Sequence, residues 1–268
     1  MNKALFRAML KQHQKKVVAI STGIILYEGL LTWVYPVIAK NQAVTDIVQS
    51  IPSGVKTVFG VPESSLANTF EAFISAQFFA RIWVVFMAIY GIQTANALVA
   101  KMVDNGSLAF LLSTPVSRSE FLSTQTDVLI SINAILVAAT LVGLYFGTFC
   151  SGIKIKHGRY LHLVILGFPF FTLIGIYSLF FSVWFADEER TLTFAAGLTL
   201  AFYCLDVVGG LSAKFSWLKS LSLFQWFQPQ KVLEGTTNST RHIVGLNAAS
   251  AILWFFTKKV FDNKDLAI

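Results

Sequence analysis

A chain of 268 residues that is 55% hydrophobic and 13% charged, with a mean hydropathy of +0.64, is too oily for a soluble domain, where about a quarter of residues are charged. The formal net charge of +7 is scattered in short clusters between apolar runs; no single basic face exists for nucleic acid, and the clusters read as flanks of membrane spans. Cys150 and Cys204 stand alone in or beside apolar runs, which excludes a zinc site or a disulfide framework.

Residues 1–16 place Leu5, Met9 and then Val17 near one face, with Lys3, Arg7, Lys11, Lys15 and Lys16 elsewhere. The pattern predicts a basic amphipathic helix lying on the cytoplasmic membrane surface. The apolar run that follows, residues 17–39, exceeds a signal-peptide core and is long enough to cross a bilayer. Residues 40–75, with Pro52, Gly54, Gly60 and Pro62, are too polar to cross and too apolar for a free linker. They predict interfacial half-helices on the outer side.

Further spans are expected over residues 76–100, 128–149, 161–185, 191–211 and 242–260, an all-α membrane fold. The third holds Gly143-Leu-Tyr-Phe-Gly147, a small-xxx-small pattern that permits close helix contact. The fourth contains Pro169, a kink candidate. Residues 212–241, with Trp217, Trp226, Phe227 and Pro229, suit short helices dipping into the outer interface. Six spans put both termini on one side. The strongly basic flank before the first span, against Lys40 alone just after it, favours the cytoplasm for both.

Between the second and third spans lies Asp104-Asn-Gly-Ser-Leu-Ala-Phe-Leu-Leu-Ser-Thr-Pro-Val-Ser-Arg-Ser-Glu-Phe121. Asp104, Asn105 and Ser107 can accept bonds from free backbone N–H groups and mark a helix start. Leu108, Leu111 and Leu112 recur at helical spacing. Pro115 pushes Thr114 out of the α region, and Ser117 with Glu120 forms a capping box for the next helix. The result is a short amphipathic helix, a break and a new helix. Such an element can press on another protein at the membrane surface; an ordinary solvated loop is the alternative.

No phosphate-cradling Gly-x-x-x-x-Gly-Lys-Ser/Thr and no metal-binding His or Cys spacing occurs. The chain is therefore expected to be non-catalytic and to bind no cofactor or metal. Glu28, Arg81 and Asp206 fall within spans, where an ionisable group costs about 2.5–3.5 kcal/mol. They are read either as the polar lining of a substrate path or as an ion pair of Arg81 with Glu28 or Asp206 locking spans together.

Gly106-Ser-Leu-Ala-Phe-Leu-Leu-Ser-Thr-Pro-Val-Ser-Arg118 resembles the cytoplasmic loop signature of type-two permeases of ATP-binding-cassette (ABC) transporters. Leu111-Leu112 and Thr114 to Arg118 match closely; Ser107 replaces the usual Thr, and the acidic pair is reduced to Asp104. The ending Phe261-Asp-Asn-Lys-Asp-Leu266 is similar to the family's tail. The resemblance implies a coupling helix comprising Asp104, Gly106, Ser107, Leu108, Leu111, Leu112, Thr114, Pro115 and Arg118. Its leucines would enter a groove of a separate ATPase, and Arg118 would meet acid there. It further implies two ATP-binding subunits carrying the ATP and Mg2+, a second permease (the same or homologous), a bacterial cytoplasmic membrane, and export of a drug, antimicrobial peptide or lipid-like amphiphile. An ion-gradient-driven transporter and a membrane sensor or scaffold are the competing readings.

Overall fold

A computed structural model of the chain describes residues 2–40, 69–211, 213–236 and 239–264. Most of the expected half-helices over 40–75 lie outside the described residues. Six helices, or runs of helices, are long and apolar enough to cross a membrane; among the described residues there is no strand.

The first is α1 (Lys3–Lys40), a single helix. The Asn2 side chain accepts from the N–H groups of Ala4 and Leu5 at 3.1 and 3.2 Å, an N-cap. The helix expected before the first span is present and continues into the span without a break. Leu5, His13 and Val17 are buried against the body, while the lysines and Arg7 point outward. The amphipathic stripe therefore covers protein at least as much as lipid.

That body is α6 (Arg118–Ser151), which runs parallel to α1. The Gly143-x-x-x-Gly147 stripe is the contact surface: a methyl at Gly143 would meet Glu28 Oε2 at 2.3 Å and the Ile25 backbone at 2.9 Å, and one at Gly147 would meet Thr32 Oγ1 at 2.3 Å. Between lipid-soluble helices burial gains little hydrophobic energy, so close van der Waals approach carries the association.

The second span begins earlier than the apolar run suggested. Thr69 caps α2 (Phe70–Ile74), which passes through a π-helical segment, Ser75–Ile82, into α3 (Trp83–Leu98). The chain kinks at Val99 before α4 (Ala100–Asp104). There Ser182 Oγ of α7 (His157–Phe185) accepts from the Ala100 N–H at 2.8 Å, so the freed donor finds a partner despite its burial.

α8 (Glu188–Leu211) follows a short hairpin, and Asp187 caps it by accepting from the Arg190 N–H at 2.7 Å. The segment beyond α8 comprises the 3-10 turn Ala213–Phe215, α9 (Trp217–Leu221), the turn Leu223–Trp226 and α10 (Pro229–Glu234). It folds back onto α7, where Phe227 stacks on Phe170 at 5.0 Å and lies 5.7 Å from the Trp83 ring. Trp83 also meets Phe171 edge-on at 4.8 Å and donates to Thr140 Oγ1 at 2.8 Å. Gly167 leaves room for its indole, which a methyl there would meet at 2.3 Å. Arg159 fastens α10 by donating to the Leu233 carbonyl at 2.7 Å. The last span is α11 (Ser239–Asn263).

Candidate coupling surface

At the end of the bundle that carries both termini, Gly106 takes a left-handed φ of +72° and turns the chain from α4 into α5 (Ser107–Leu112), a conformation that glycine adopts at low cost. The Asn105 side chain accepts from the Ser107 N–H at 3.1 Å and from its hydroxyl at 2.6 Å. Asn105 therefore holds the start of α5. Asp104, expected there too, reaches instead across to α8 and accepts from the Glu188 N–H at 3.3 Å. A carboxylate at a helix start is favoured by the exposed N–H groups and the helix dipole. Around it, Glu188 Oε1 accepts from Lys101 at 3.1 Å and from Asn96 at 3.2 Å.

The apolar face of α5 does not point outward as a unit. Leu108 is 1% exposed within the core, and Leu111 and Leu112 are half-buried against it. The residue offered outward is Phe110, 78% exposed, beside exposed Ser113, Thr114 and Pro115. Spacing alone finds one apolar stripe but cannot say whether it faces the bundle or a partner. Two carbonyls near the end of α5 are answered locally, Phe110 by Ser113 Oγ and Leu111 by Thr114 Oγ1.

After the break, Ser117 Oγ accepts from the Glu120 N–H at 3.1 Å and starts α6, the cap expected from sequence. Arg118 is committed within the chain: its Nη1 donates to the Lys264 carbonyl at 2.7 Å. The Lys264 ammonium in turn donates to the Val183 and Trp184 carbonyls, at 3.0 and 2.5 Å. These are C-terminal carbonyls of α7, where a cation is favoured; burial lowers the Lys264 pKa from its ordinary value. Phe121 and Phe261, both fully buried, stack at 6.0 Å just above. The tail residues Phe261 and Lys264 thus join the start of α6, the end of α7 and the end of α11. Sequence reading missed Phe110, Lys264 and the Asn96–Lys101–Glu188 cluster. The tail motif was the available signal for Lys264.

Of the two pairings open to Arg81, the one with Glu28 is not formed. Glu28 is fully buried against the α6 glycine, and neither carboxylate oxygen has a hydrogen-bond partner among the described residues. Arg81 lies on the π-helical segment, within the field of Tyr203. The cation acting on Asp206 is Lys219, carried by α9, whose backbone packs on Gly209. The Arg81–Glu28 pair fails because α1 turns Glu28 toward α6, whereas Arg81 faces α8.

A second polar feature cuts into the spans. A groove of about 400 Å³ between α6, α7 and α11 is lined by Asp127, Thr172, Asn247, Ser250 and Trp254. Trp254 donates to Thr126 Oγ1 at 3.1 Å, and Asn133 donates to Thr172 Oγ1 at 2.8 Å.

Six membrane-length helices, a polar groove along them and a short helix between the second and third define a multi-pass membrane component. The family model for ABC-2 family transporter proteins matches residues 20–258, and the chain belongs to that family. No curated protein and no solved structure matches it. The chain is accordingly an ABC transporter permease, a class of membrane component that works with ATP-binding subunits.

Proposed function

We propose that α5 and the turn after it seat in a groove of an ATP-binding subunit and pass its movement into α6. The observation that carries this reading is Phe110, 78% exposed on a six-residue helix at the end of the bundle bearing both termini. A large apolar side chain so placed, rimmed by Ser113, Thr114 and Pro115, is suited to a partner's pocket. The capped start of α6 at Ser117 makes the docking turn continuous with the third span. Two ATP-binding subunits supplying ATP and Mg2+, and a second permease beside this one, complete the transporter in this reading. ATP-driven closure of the ATPases would shift the spans between inward- and outward-open states.

The groove holding Asp127, Asn247 and Trp254 is the best-supported substrate path, because polar side chains at membrane depth line routes through it. Its mixture of carboxylate, amide and indole suits an amphiphile, such as a drug, an antimicrobial peptide or a lipid-like molecule. Export across a bacterial cytoplasmic membrane, with both termini in the cytoplasm, fits the basic flank of α1. The direct test is co-purification with the ATP-binding subunit. Phe110→Asp is expected to abolish association while the permease stays folded. Undiminished association and transport would overturn the assignment. Arg118→Glu is an unsuitable test, since it breaks the bond to Lys264.

A further inference from the structure

A cavity of about 670 Å³ opens beside α5, walled by α1, α3, α4 and α8. Its two sides differ chemically. From α1 come Lys16, a cation, and His13, a buried imidazole with an N–H to donate. Opposite stand Asn96 and Glu188, with Lys101 bonded to one oxygen of that carboxylate. Asn96 is 2% exposed, and its Nδ2 donates to Glu188; its Oδ1 is buried as well and has no hydrogen-bond partner among the described residues. A buried acceptor left unmade costs free energy and marks a place where a donor belongs. Lys101 and Asn96 both take the same carboxylate oxygen of Glu188, Oε1, leaving Oε2 for an occupant. Met9, Leu111 and Leu192 form an apolar wall.

We propose that this cavity binds a membrane phospholipid whose headgroup joins a phosphate to a primary ammonium. The phosphate would meet Lys16 and His13. The ammonium would donate to Glu188 Oε2 beside Asn96, and the chains would run out past Met9 and Leu192. A purely anionic headgroup would set its charge toward Glu188 and leave that carboxylate with hydroxyls only. A trimethylammonium headgroup keeps both charges but has no N–H to give. The cavity lies at the end of the spans that carries both termini, where a headgroup layer would begin, and basic pockets between spans at that depth take lipid heads. Because Leu111 and Phe110 of α5 both line the cavity, a bound lipid would lie directly beside the docking residue.

The experiment is native mass spectrometry of the full chain in detergent, titrated separately with phosphatidylethanolamine, phosphatidylcholine and phosphatidylglycerol. The ethanolamine lipid is expected to bind about tenfold tighter than the choline lipid, the size set by a charged hydrogen bond. Glu188→Gln should erase that preference, Lys16→Ala should weaken both lipids alike, and Glu189→Gln should change nothing. Equal binding of the ethanolamine and choline lipids to the wild-type chain would overturn the proposal without recourse to any variant. So would tighter binding of the glycerol lipid, or an ethanolamine preference that survives in Glu188→Gln. Soluble glycerophosphoethanolamine is the last arm: if it displaces the lipid at equal concentration, the headgroup chemistry stands and the lipid source is overturned.

Discussion

The two ends of this bundle are held by different physics. At the end of Trp83, Phe170, Phe171 and Phe227, rings interlock around one indole, and a glycine in α7 is spent to let them close. At the other end, the start of α6 is tied to α7 and α11 by Arg118 and Lys264, and α4 to α8 by Asp104, Lys101 and Glu188. Interlocked rings lose contact energy steeply when displaced by a fraction of an ångström. Hydrogen bonds at a part-buried, water-accessible end can be exchanged for water or for a partner at small net cost. The difference teaches where this permease can yield: at the polar end, which the docking helix shares, while the aromatic end acts as the fixed frame.

The comparison breaks most severely at Trp83. Trp83→Ala removes the centre of the ring cluster and the donor to Thr140; the cavity alone costs on the order of 3 kcal/mol. A drop of that size in unfolding free energy, measured by denaturant titration in micelles, is the expected result. A fall below 1 kcal/mol would mean that the aromatic end is not the frame.

Gly143→Ala is next. Its methyl would meet both Glu28 and the α1 backbone, and overpacking of this kind costs about 1–3 kcal/mol. Glu28→Ala in the same chain should recover part of that loss, because one of the two obstructing groups is gone while Ile25 remains. A double-mutant cycle measures this coupling directly; strict additivity would show that Glu28 does not lie in the seam.

Lys264→Ala should cost about 1.5 kcal/mol, the low end for charged hydrogen bonds because the ammonium is only partly buried. Its effect on transport should exceed its effect on stability, since it frees α6 from α7. Equal loss of transport in Asp262→Ala, an exposed neighbour without such bonds, would remove Lys264 from the linkage.

How far this arrangement could be read from the chain depends on the kind of force involved. The spans were legible because apolar length is a property of each segment alone, and so was the Ser117 cap, whose partner Glu120 lies three residues away. The Gly143–Gly147 stripe announced a close contact but not its occupant. The latch was not legible, because Arg118, Val183 and Lys264 are far apart in sequence and each taken alone suits a solvated surface. Asp104 misled for the same reason: it sits where a cap of α5 belongs, yet its acceptor is used by α8. What the face of α5 meets was not legible, because a period of 3.6 gives the direction of a stripe relative to its own helix and nothing about what stands beside it.

That face gives the mildest and most specific prediction. Phe110→Asp removes no buried contact, so stability should stay within about 0.5 kcal/mol of wild type, as for surface substitutions generally. Leu108→Ala, on the same short helix but fully buried, should destabilise the chain by about 2–5 kcal/mol. If α5 docks through its outward side, Phe110→Asp loses the ATP-binding subunit with an unchanged melt. Leu108→Ala should retain the partner in whatever fraction stays folded. Were the partner to leave with Leu108→Ala and stay with Phe110→Asp, the inward leucine would have to swing out on docking. The polar end would then be a hinge that opens rather than a surface already formed.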